Sequence, residues 1–397
     1  MADGTGRPEA DGTSSPTQPR SVTDDAMNVT PRALSRPEGD IHGVAGEPGP
    51  APAPVAAGAA ATGGGAAAGG WPGRDVGRWL GDLECGPVAI ATIAIIAVIS
   101  VFHHSFFSAS QLANIVEQNS WIAILACGMA LLLAMRELDL SVGSALGLTV
   151  ICAAQLQQHG FNPWLTVVIA LGVGAGLGLF NAVLVQVIGI PAIIATLATL
   201  SMYGGLSEAL SGGQQITSLP VTNSFYTVIG GSLLGVPTGI WGLLVVVIVL
   251  TVVLRLTPFG YRVRAIGSNP QAAAHSGISL PRVRVQALVL MGVLAAIGGM
   301  FALGYFSSGD PNLGSGFELQ AIAAAVIGGT PLAGGNATVA GAAIGALLLG
   351  VVNSGLVYFN LPLNWTSFAT GLVIIVAVSL DNLLRRHRAR RHAALGL

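Results

Sequence analysis

The stretch that decides the fold is residues 115–158, which read IVEQNSWIAILACGMALLLAM, then RELDL, then SVGSALGLTVICAAQLQQ. Two apolar runs, 115–135 and 141–158, flank the charged interruption Arg136–Ser141. A helix crosses a membrane when about 20 predominantly apolar residues follow one another at 1.5 Å rise per residue. The stretch therefore predicts two transmembrane helices with a break between them.

Apolar runs of this kind recur along the chain. The other candidate spans are 87–107, 164–187, 191–210, 239–256, 284–306, 318–330, 337–357 and 365–384, which makes ten. Hydrophobic residues form 52% of the chain and charged residues 9%, whereas a soluble domain carries about 25% charged residues. We predict an all-α polytopic membrane protein of about ten transmembrane helices, with broken or re-entrant segments.

The arginines predict the orientation of these helices. All 17 basic residues are arginine, and within the membrane region they lie at Arg136 and between Arg255 and Arg284. Cytoplasmic loops collect basic residues, and the loops 211–238, 307–317 and 358–364 carry none. A plasma-membrane protein with ten spans and both termini in the cytoplasm places every arginine inside.

Both ends of the chain differ from the membrane domain 87–384. Residues 1–70 are rich in Ala, Gly and Pro and lack aromatic residues, so we predict a disordered cytoplasmic tail. Residues 71–86 place Val76, Trp79, Leu80 and Leu83 at helical spacing, which predicts an amphipathic helix in the membrane interface. Residues 385–397 form a basic cytoplasmic tail.

The loop 257–284 is the longest predicted cytoplasmic connection of the membrane domain. Asn269 is a good N-cap, Pro270 suits the first helical position, and Gly277 is a natural residue after the helix end. The sequence predicts a short helix with an alanine face, Ala272–Ala274, that docks a cytoplasmic protein. The alternative is a solvated connector whose arginines bind membrane lipid headgroups.

Several functions are excluded by what the chain lacks. A phosphate-binding P-loop needs a Gly-Lys pair, and the chain has no lysine. His, Cys and carboxylate residues show no metal-binding spacing, and no catalytic motif is present. The net charge of −1 gives no reason to expect a nucleic-acid partner. We predict a transport subunit that is not an enzyme and has no cofactor or metal.

Polar residues on the predicted spans are candidates for a translocation pathway. They are Asp139, Ser141, Ser144, Asn181, Thr196 and Glu208. An ionisable residue inside a membrane suggests function by default, although Asp139 also suits a cap at the helix break. The alternative for several of these residues is hydrogen bonding between neighbouring helices.

A resemblance to a known family rests on five ordered blocks. They are Phe106-Phe107-Ser108 through Asn114-Ile115, Leu138 to Ser144, Ile194 to Leu197, Thr257 to Ile278, and Gly316 to Gly335. Over residues 87–384 the chain resembles the permease subunits of ribose/xylose-type ABC sugar importers. One departure is that Arg136-Glu137-Leu138 stands where the family usually has Gly-Gly-Ile. This charged pair stiffens the helix break or adds charge at its cytoplasmic edge.

The resemblance implies partners and a mechanism. A permease homodimer would form the pathway, an extracytoplasmic sugar-binding protein would deliver a monosaccharide, and a cytoplasmic ATPase would drive import. The residues that this resemblance places at the ATPase contact are Gly267, Asn269, Ala272, Ala273 and Gly277. Alternatives are a permease of the same plan for nucleosides or branched-chain amino acids, or a secondary transporter.

Overall fold

The structure, a computed structural model, describes residues 85–360 and, beyond them, Trp365, Phe368, Gly371, Leu372, Ile375 and Ser379. The predicted tails 1–70 and 385–397 therefore lie outside the described residues, as does most of the tenth predicted span. The predicted interfacial helix 71–86 also lies outside them, apart from its last two residues. Of these, Gly86 is the first residue of the first described helix.

In the described part of the chain, the regular secondary structure is helical except for one short hairpin. Its helices are α1 (Gly86–Phe102), α2 (Ala109–Ala134), α3 (Val142–Gln158), α4 (Pro163–Val183), α5 (Ala192–Ser211), α6 (Ser224–Ile229), α7 (Thr238–Leu256), α8 (Pro258–Ser268), α9 (Pro270–His275), α10 (Leu280–Phe306), α11 (Phe317–Ile327) and α12 (Val339–Tyr358). A 3₁₀ turn, His104–Phe107, precedes α2, and a π turn, Leu184–Ile188, extends α4. The antiparallel strands β1 (Ser232–Leu233) and β2 (Val236–Pro237) form the hairpin.

Six of these helices are long and apolar enough to cross a membrane by length and composition. They are α2, α4 with its π turn, α5, α7, α10 and α12, and each coincides with a predicted span. The all-α polytopic fold class is therefore confirmed. α1 and α3 have 17 residues each and α11 has 11. The total of ten spans stays a prediction.

Helix ends follow the local sequence. The Ser108 hydroxyl accepts the backbone N–H of Gln111 at the start of α2, and the Asn162 side chain accepts that of Trp164 at the start of α4. Both satisfy amides that have no partner in the first helical turn. Pro163 follows Asn162 at the first position of α4, where a missing N–H costs nothing.

Small residues bring the central helices together. α10 packs along α4, where Gly174 faces the Gly292 carbonyl and Gly178 faces the Leu288 carbonyl. α12 packs along α11 in the same way, through Gly341 and Gly345. Close backbone approach is how helices associate in lipid, where hydrophobic burial between helices supplies little drive. α2 lies inside the resulting bundle, with most of its apolar residues buried.

The connection between α7 and α10 is more structured than the sequence analysis predicted. An additional amphipathic helix, α8, fills its first half, and α10 already begins at Leu280. The predicted short helix is present as α9, with Asn269 accepting the Ala272 N–H and Pro270 at its first position. Gly277 has φ +82° and follows the helix end, as predicted.

Candidate functional site

Two interrupted helices meet inside the bundle. α3 begins at Val142, after the break that follows α2, and α11 begins at Phe317, after a segment without regular structure. Gly143 in the first turn of α3 lies directly against Gly314, just before α11. A Cβ on either glycine would collide with the carbonyl oxygen of the other. Such half-helix ends, with free amides and the positive end of the helix dipole, surround substrate sites in many transporters.

The segment between α10 and α11 runs along α3 instead of lying outside as a surface loop. Gly309 packs on Ala154, the Leu313 carbonyl meets Gly147, and Gly314 meets Gly143. The Ser207 hydroxyl of α5 donates to the Pro311 carbonyl at 3.2 Å. The predicted loop 307–317 therefore packs against the bundle, and its place on the outer side of the membrane stays a prediction. Its Gly, Pro and Ser content fits tight packing against α3 as well as exposure.

Asp139 lies at the break before α3 and is buried, with 2% of its surface exposed. Its Oδ1 accepts the Ser141 backbone N–H at 2.9 Å and the Ser141 hydroxyl at 2.6 Å. The carboxylate thus satisfies amide and hydroxyl donors at the helix start. Among the described residues no cationic side chain forms an ion pair with Asp139. A buried carboxylate of this kind marks a functional site by default.

Asn181 of α4 joins Asp139 to a third helix. Its Nδ2 donates to the Ser141 hydroxyl at 2.8 Å and lies 3.4 Å from Asp139 Oδ2. The Tyr203 hydroxyl of α5 donates to Asn181 Oδ1 at 3.1 Å. Asn181 lies about 10 Å along the helix from the end of the π turn at Ile188, at 1.5 Å per residue. The polar cluster Asp139–Ser141–Asn181–Tyr203 therefore lies within the span.

The other predicted pathway residues do not join this cluster. The Ser144 hydroxyl faces Gly204 of α5, one turn along α3. Thr196 is buried and its hydroxyl donates to the Ala192 carbonyl of its own helix. Glu208 is exposed near the end of α5. Of the six predicted pathway residues, the structure brings Asp139, Ser141 and Asn181 into direct contact.

Sequence reasoning missed two residues at this site. Tyr203 lies on an apolar helix, where nothing in the pattern distinguishes it from a packing residue. Glu318 lies in the first turn of α11, and a Cβ on Gly143 would be 2.6 Å from its Oε2. The only signal for Glu318 was an acid beside the glycines that precede a short apolar run. Its carboxylate adds a negative charge where the two half-helices meet.

A cavity of about 290 Å³ opens beside the start of α11. Its lining is mostly aromatic and comprises Gln118, Trp121, Ile122, Tyr305, Phe306, Leu313 and Phe317. The Gln118 amide donates to the Tyr305 hydroxyl at 2.9 Å, and Trp121 packs against Tyr305 and Phe306. An apolar wall with a few placed polar groups is typical of small-molecule sites.

The residues predicted at the ATPase contact divide into exposed and buried groups. Asn269 and Ala272 are exposed, as are Gln271, Ala274 and His275 of α9. Ala273 is buried in the hydrophobic core of the chain, and Gly267 is buried against Ala134 and Gly335. The prediction of a continuous alanine face is corrected, because α9 packs Ala273 inward. Within the described residues no group of His, Cys, Asp and Glu is placed to hold a metal ion.

Comparison with known proteins agrees with this architecture. Residues 111–378 match the family described as branched-chain amino acid transport system / permease component. The ribose import permease of Haemophilus influenzae is 36% identical over 297 residues, 74% of this chain and 92% of that protein. The autoinducer 2 import system permease of Yersinia enterocolitica is 36% identical over 301 residues, 76% of this chain and 83% of that protein. No solved structure matches the chain.

The six membrane-capable helices and the match to permease sequences together define the class as a multi-pass membrane permease. The chain belongs to the branched-chain amino acid transport system / permease component family. The predicted resemblance to ABC importer permeases is confirmed, and so is the prediction of a transport subunit instead of an enzyme. Permeases of this family work with ATPase and substrate-binding partners.

Proposed function

We propose that the chain carries a monosaccharide across the cytoplasmic membrane as the permease subunit of an ABC importer. The observation that carries this proposal is the meeting of two half-helices at Gly143 and Gly314, within a chain similar to a ribose import permease. Main-chain amides at the start of α3 can contact a neutral polyol without binding it tightly, and weak contact suits passage. Alternating access would come from movement around this point.

The chemistry of the surrounding surfaces supports a neutral cargo. The cavity beside α11 offers aromatic faces with one amide and one phenol. The aliphatic C–H face of a sugar packs on aromatic rings. Its hydroxyl groups can bond to the Gln118 amide and the Tyr305 hydroxyl in place of the bond between those two side chains. On the proposed topology the loops 211–238, 307–317 and 358–364 carry no arginine, which favours a neutral cargo over an anion.

The partners follow from the same proposal. A soluble sugar-binding protein delivers cargo outside, and a cytoplasmic ATPase docks on the exposed side of α9. Two copies of the chain form one pathway. Both termini lie in the cytoplasm, residues 1–70 are a disordered tail, residues 71–86 lie on the membrane lipids, and residues 385–397 are a basic tail. Ser144, Thr196 and Glu208 are the further pathway residues of this proposal.

Reconstitution tests the cargo. The chain is placed in lipid vesicles with the ATPase and the binding protein encoded with it, and ATP-dependent uptake is measured for D-ribose, D-xylose, adenosine and L-leucine. We expect saturable uptake of a sugar and none of leucine. Uptake of adenosine or leucine without a sugar would assign the chain to the alternative classes. Uptake without ATP would indicate a secondary transporter.

Cysteine labelling tests the orientation. A single cysteine at Ser268, the last residue of α8, is labelled by a membrane-impermeant maleimide only after the cells are opened, because the proposed topology places it inside. A cysteine at Ser232 in the hairpin, at the opposite end of the bundle, serves as the matched control and is labelled in intact cells. Reversed labelling of the two would overturn the orientation.

A further inference from the structure

The end of α2 adopts a backbone conformation that normally takes glycine. The Arg136 N–H donates to the Leu133 carbonyl, and the Glu137 N–H donates to the Leu132 carbonyl. This is the Schellman hydrogen-bond pattern, in which the residue after the helix end is left-handed and usually glycine. Arg136 occupies that position with φ +63°. A left-handed arginine costs energy that a glycine at the same position would not, and contacts of its side chain can offset that cost.

The Arg136 guanidinium closes the end of α8. Its Nε donates to the Gly267 carbonyl at 2.8 Å, and its Nη2 donates to the Ser268 carbonyl at 3.1 Å. These are the last two carbonyls of α8, which have no partner within the helix. The negative end of the helix dipole also favours a cation there. Arg136 and Gly267 are 131 positions apart in the chain.

The backbone beneath the guanidinium is packed tightly. The Gly335 N–H donates to the Ala134 carbonyl at 2.9 Å, and Gly267 lies so close to Ala134 that a Cβ on it would collide with that carbonyl oxygen. The end of α2, the end of α8 and the Gly334–Gly335 turn before α12 therefore converge on one point. The backbones of α2 and α8 touch directly there.

Glu137 makes a second connection, to the start of α10. The Nε atom of Arg284 lies 2.7 Å from Glu137 Oε1, although its N–H is not aligned for a hydrogen bond. Burial raises the pKa of the Glu137 carboxyl, and the neighbouring Arg284 guanidinium offsets part of that rise. The end of α8 and the start of α10, which flank α9, are thus attached to adjacent residues of the α2–α3 connection.

We propose that Arg136 and Glu137 are positioning residues for transport, which transmit movement of the α8–α9 segment to the break before α3. The inference rests on the proposed function, because it requires an ATPase to move α9. Asp139, three residues beyond Arg136, holds the first turn of α3. Displacement of α8 pulls Arg136, and displacement of the start of α10 pulls Glu137. Either movement reorients α3 where it meets Gly314.

The first test measures uptake per ATP hydrolysed in the reconstituted importer. Arg136→Gly removes the guanidinium and leaves a residue that accepts the left-handed backbone, so the chain still folds and the ATPase still binds. Glu137→Gln removes the ion pair. We expect each variant to lower uptake per ATP about fivefold or more, the lower range of coupling between sites. Arg136→Lys keeps the positive charge but cannot donate to both carbonyls as the guanidinium does, so we expect uptake per ATP between those of Arg136→Gly and the wild-type chain.

Matched controls separate linkage from folding. Arg282 is exposed on the same turn of α10 as Arg284. We expect the control variant Arg282→Gln to have the wild-type uptake per ATP. The exchange Glu137→Arg with Arg284→Glu restores the ion pair and the coupling lost in Glu137→Gln. Wild-type uptake per ATP in both Arg136→Gly and Glu137→Gln would overturn the inference.

A second measurement does not depend on the cargo. Hydrogen exchange of residues 138–144 is compared with and without bound ATPase in nanodiscs. ATPase binding changes exchange there in the wild-type chain and leaves it unchanged in Arg136→Gly, although the ATPase still binds. An equal change in both chains would overturn the inference. If none of the four cargoes is taken up but this result is obtained, the cargo assignment fails and the linkage stands. If the ATPase does not bind the wild-type chain, both proposals fall.

Discussion

Gly143 and Gly314, 171 residues apart in the chain, meet backbone to backbone. Because each carbonyl oxygen occupies the space of the other residue's missing Cβ, this contact accepts no other amino acid without movement of one helix. We expect Gly143→Ala to separate α3 from α11, cost about 1–3 kcal/mol of stability and abolish most uptake.

The chain offers a matched control for this prediction. Gly172 on α4 is exposed, and a Cβ added to it would meet nothing within 4 Å. We expect Gly172→Ala to keep wild-type uptake and thermal stability in detergent. Equal behaviour of the two alanine variants would show that the α3–α11 contact is not needed for transport.

Asp139 and Asn181 are predicted to differ in importance. Asp139→Ala leaves the Ser141 amide and hydroxyl without their acceptor, which costs about 1–3 kcal/mol for a buried group. Asn181→Ala removes one bridge, but Asp139 still holds Ser141 and the Tyr203 hydroxyl still reaches the Leu177 carbonyl. We expect uptake to fall more in Asp139→Ala, by about tenfold or more. Wild-type uptake in both variants would remove this cluster from the pathway.

The exposed side of α9 is predicted to contact the ATPase. Ala274→Trp adds a large ring to an exposed position and should prevent co-purification of the ATPase while the chain still inserts. Ala273→Trp instead forces a ring into the core, and we expect loss of folded protein by size-exclusion chromatography. Ala274→Ser serves as the control. ATPase binding to Ala274→Trp at wild-type strength would assign the contact to another surface.

Gly277 is predicted to set the exit of α9. Its φ of +82° is one that β-branched residues avoid. Gly277→Val should therefore shift the turn after α9 and reduce the ATPase activity stimulated by cargo. Gly277→Asn should retain more activity, because asparagine tolerates left-handed backbone better than valine. Equal stimulation in both variants would contradict the role of this turn.

Gln118 is predicted to contact the cargo before it reaches the half-helices. Gln118→Ala removes the amide that faces the Tyr305 hydroxyl and leaves the aromatic wall in place. We expect the concentration for half-maximal uptake to rise severalfold, by about 1 kcal/mol for one hydrogen bond, with the maximal rate little changed. An unchanged uptake curve would exclude the cavity from the route.

Periodicity and length predicted the six long apolar helices, because a helix in lipid must be both apolar and about 20 residues long. Asn269 and Gly277 were placed correctly because caps are set by neighbouring atoms. The break at Arg136–Ser141 was visible for the same reason. These are local properties, so one stretch of sequence contains all the information that they require.

Contacts between distant segments were not predictable in this way. Nothing near Arg136 indicates that its acceptors are the carbonyls of Gly267 and Ser268. Ala273 resembles Ala272 and Ala274 in sequence, and only the docking of α9 on the bundle distinguishes them. Tyr203 gains its role from Asn181 on another helix. Such properties depend on how helices pack, which a single chain's pattern does not encode.

The meeting of Gly143 and Gly314 has a consequence for how such an importer changes its cargo. On the proposed function, the cargo passes a point where the contact between the two helices is made by main chain, and a main chain offers every sugar the same groups. Mutation at either position would disturb the gate before it altered preference. A change of cargo would therefore come from exchanging the soluble binding protein, while the permease stays the same.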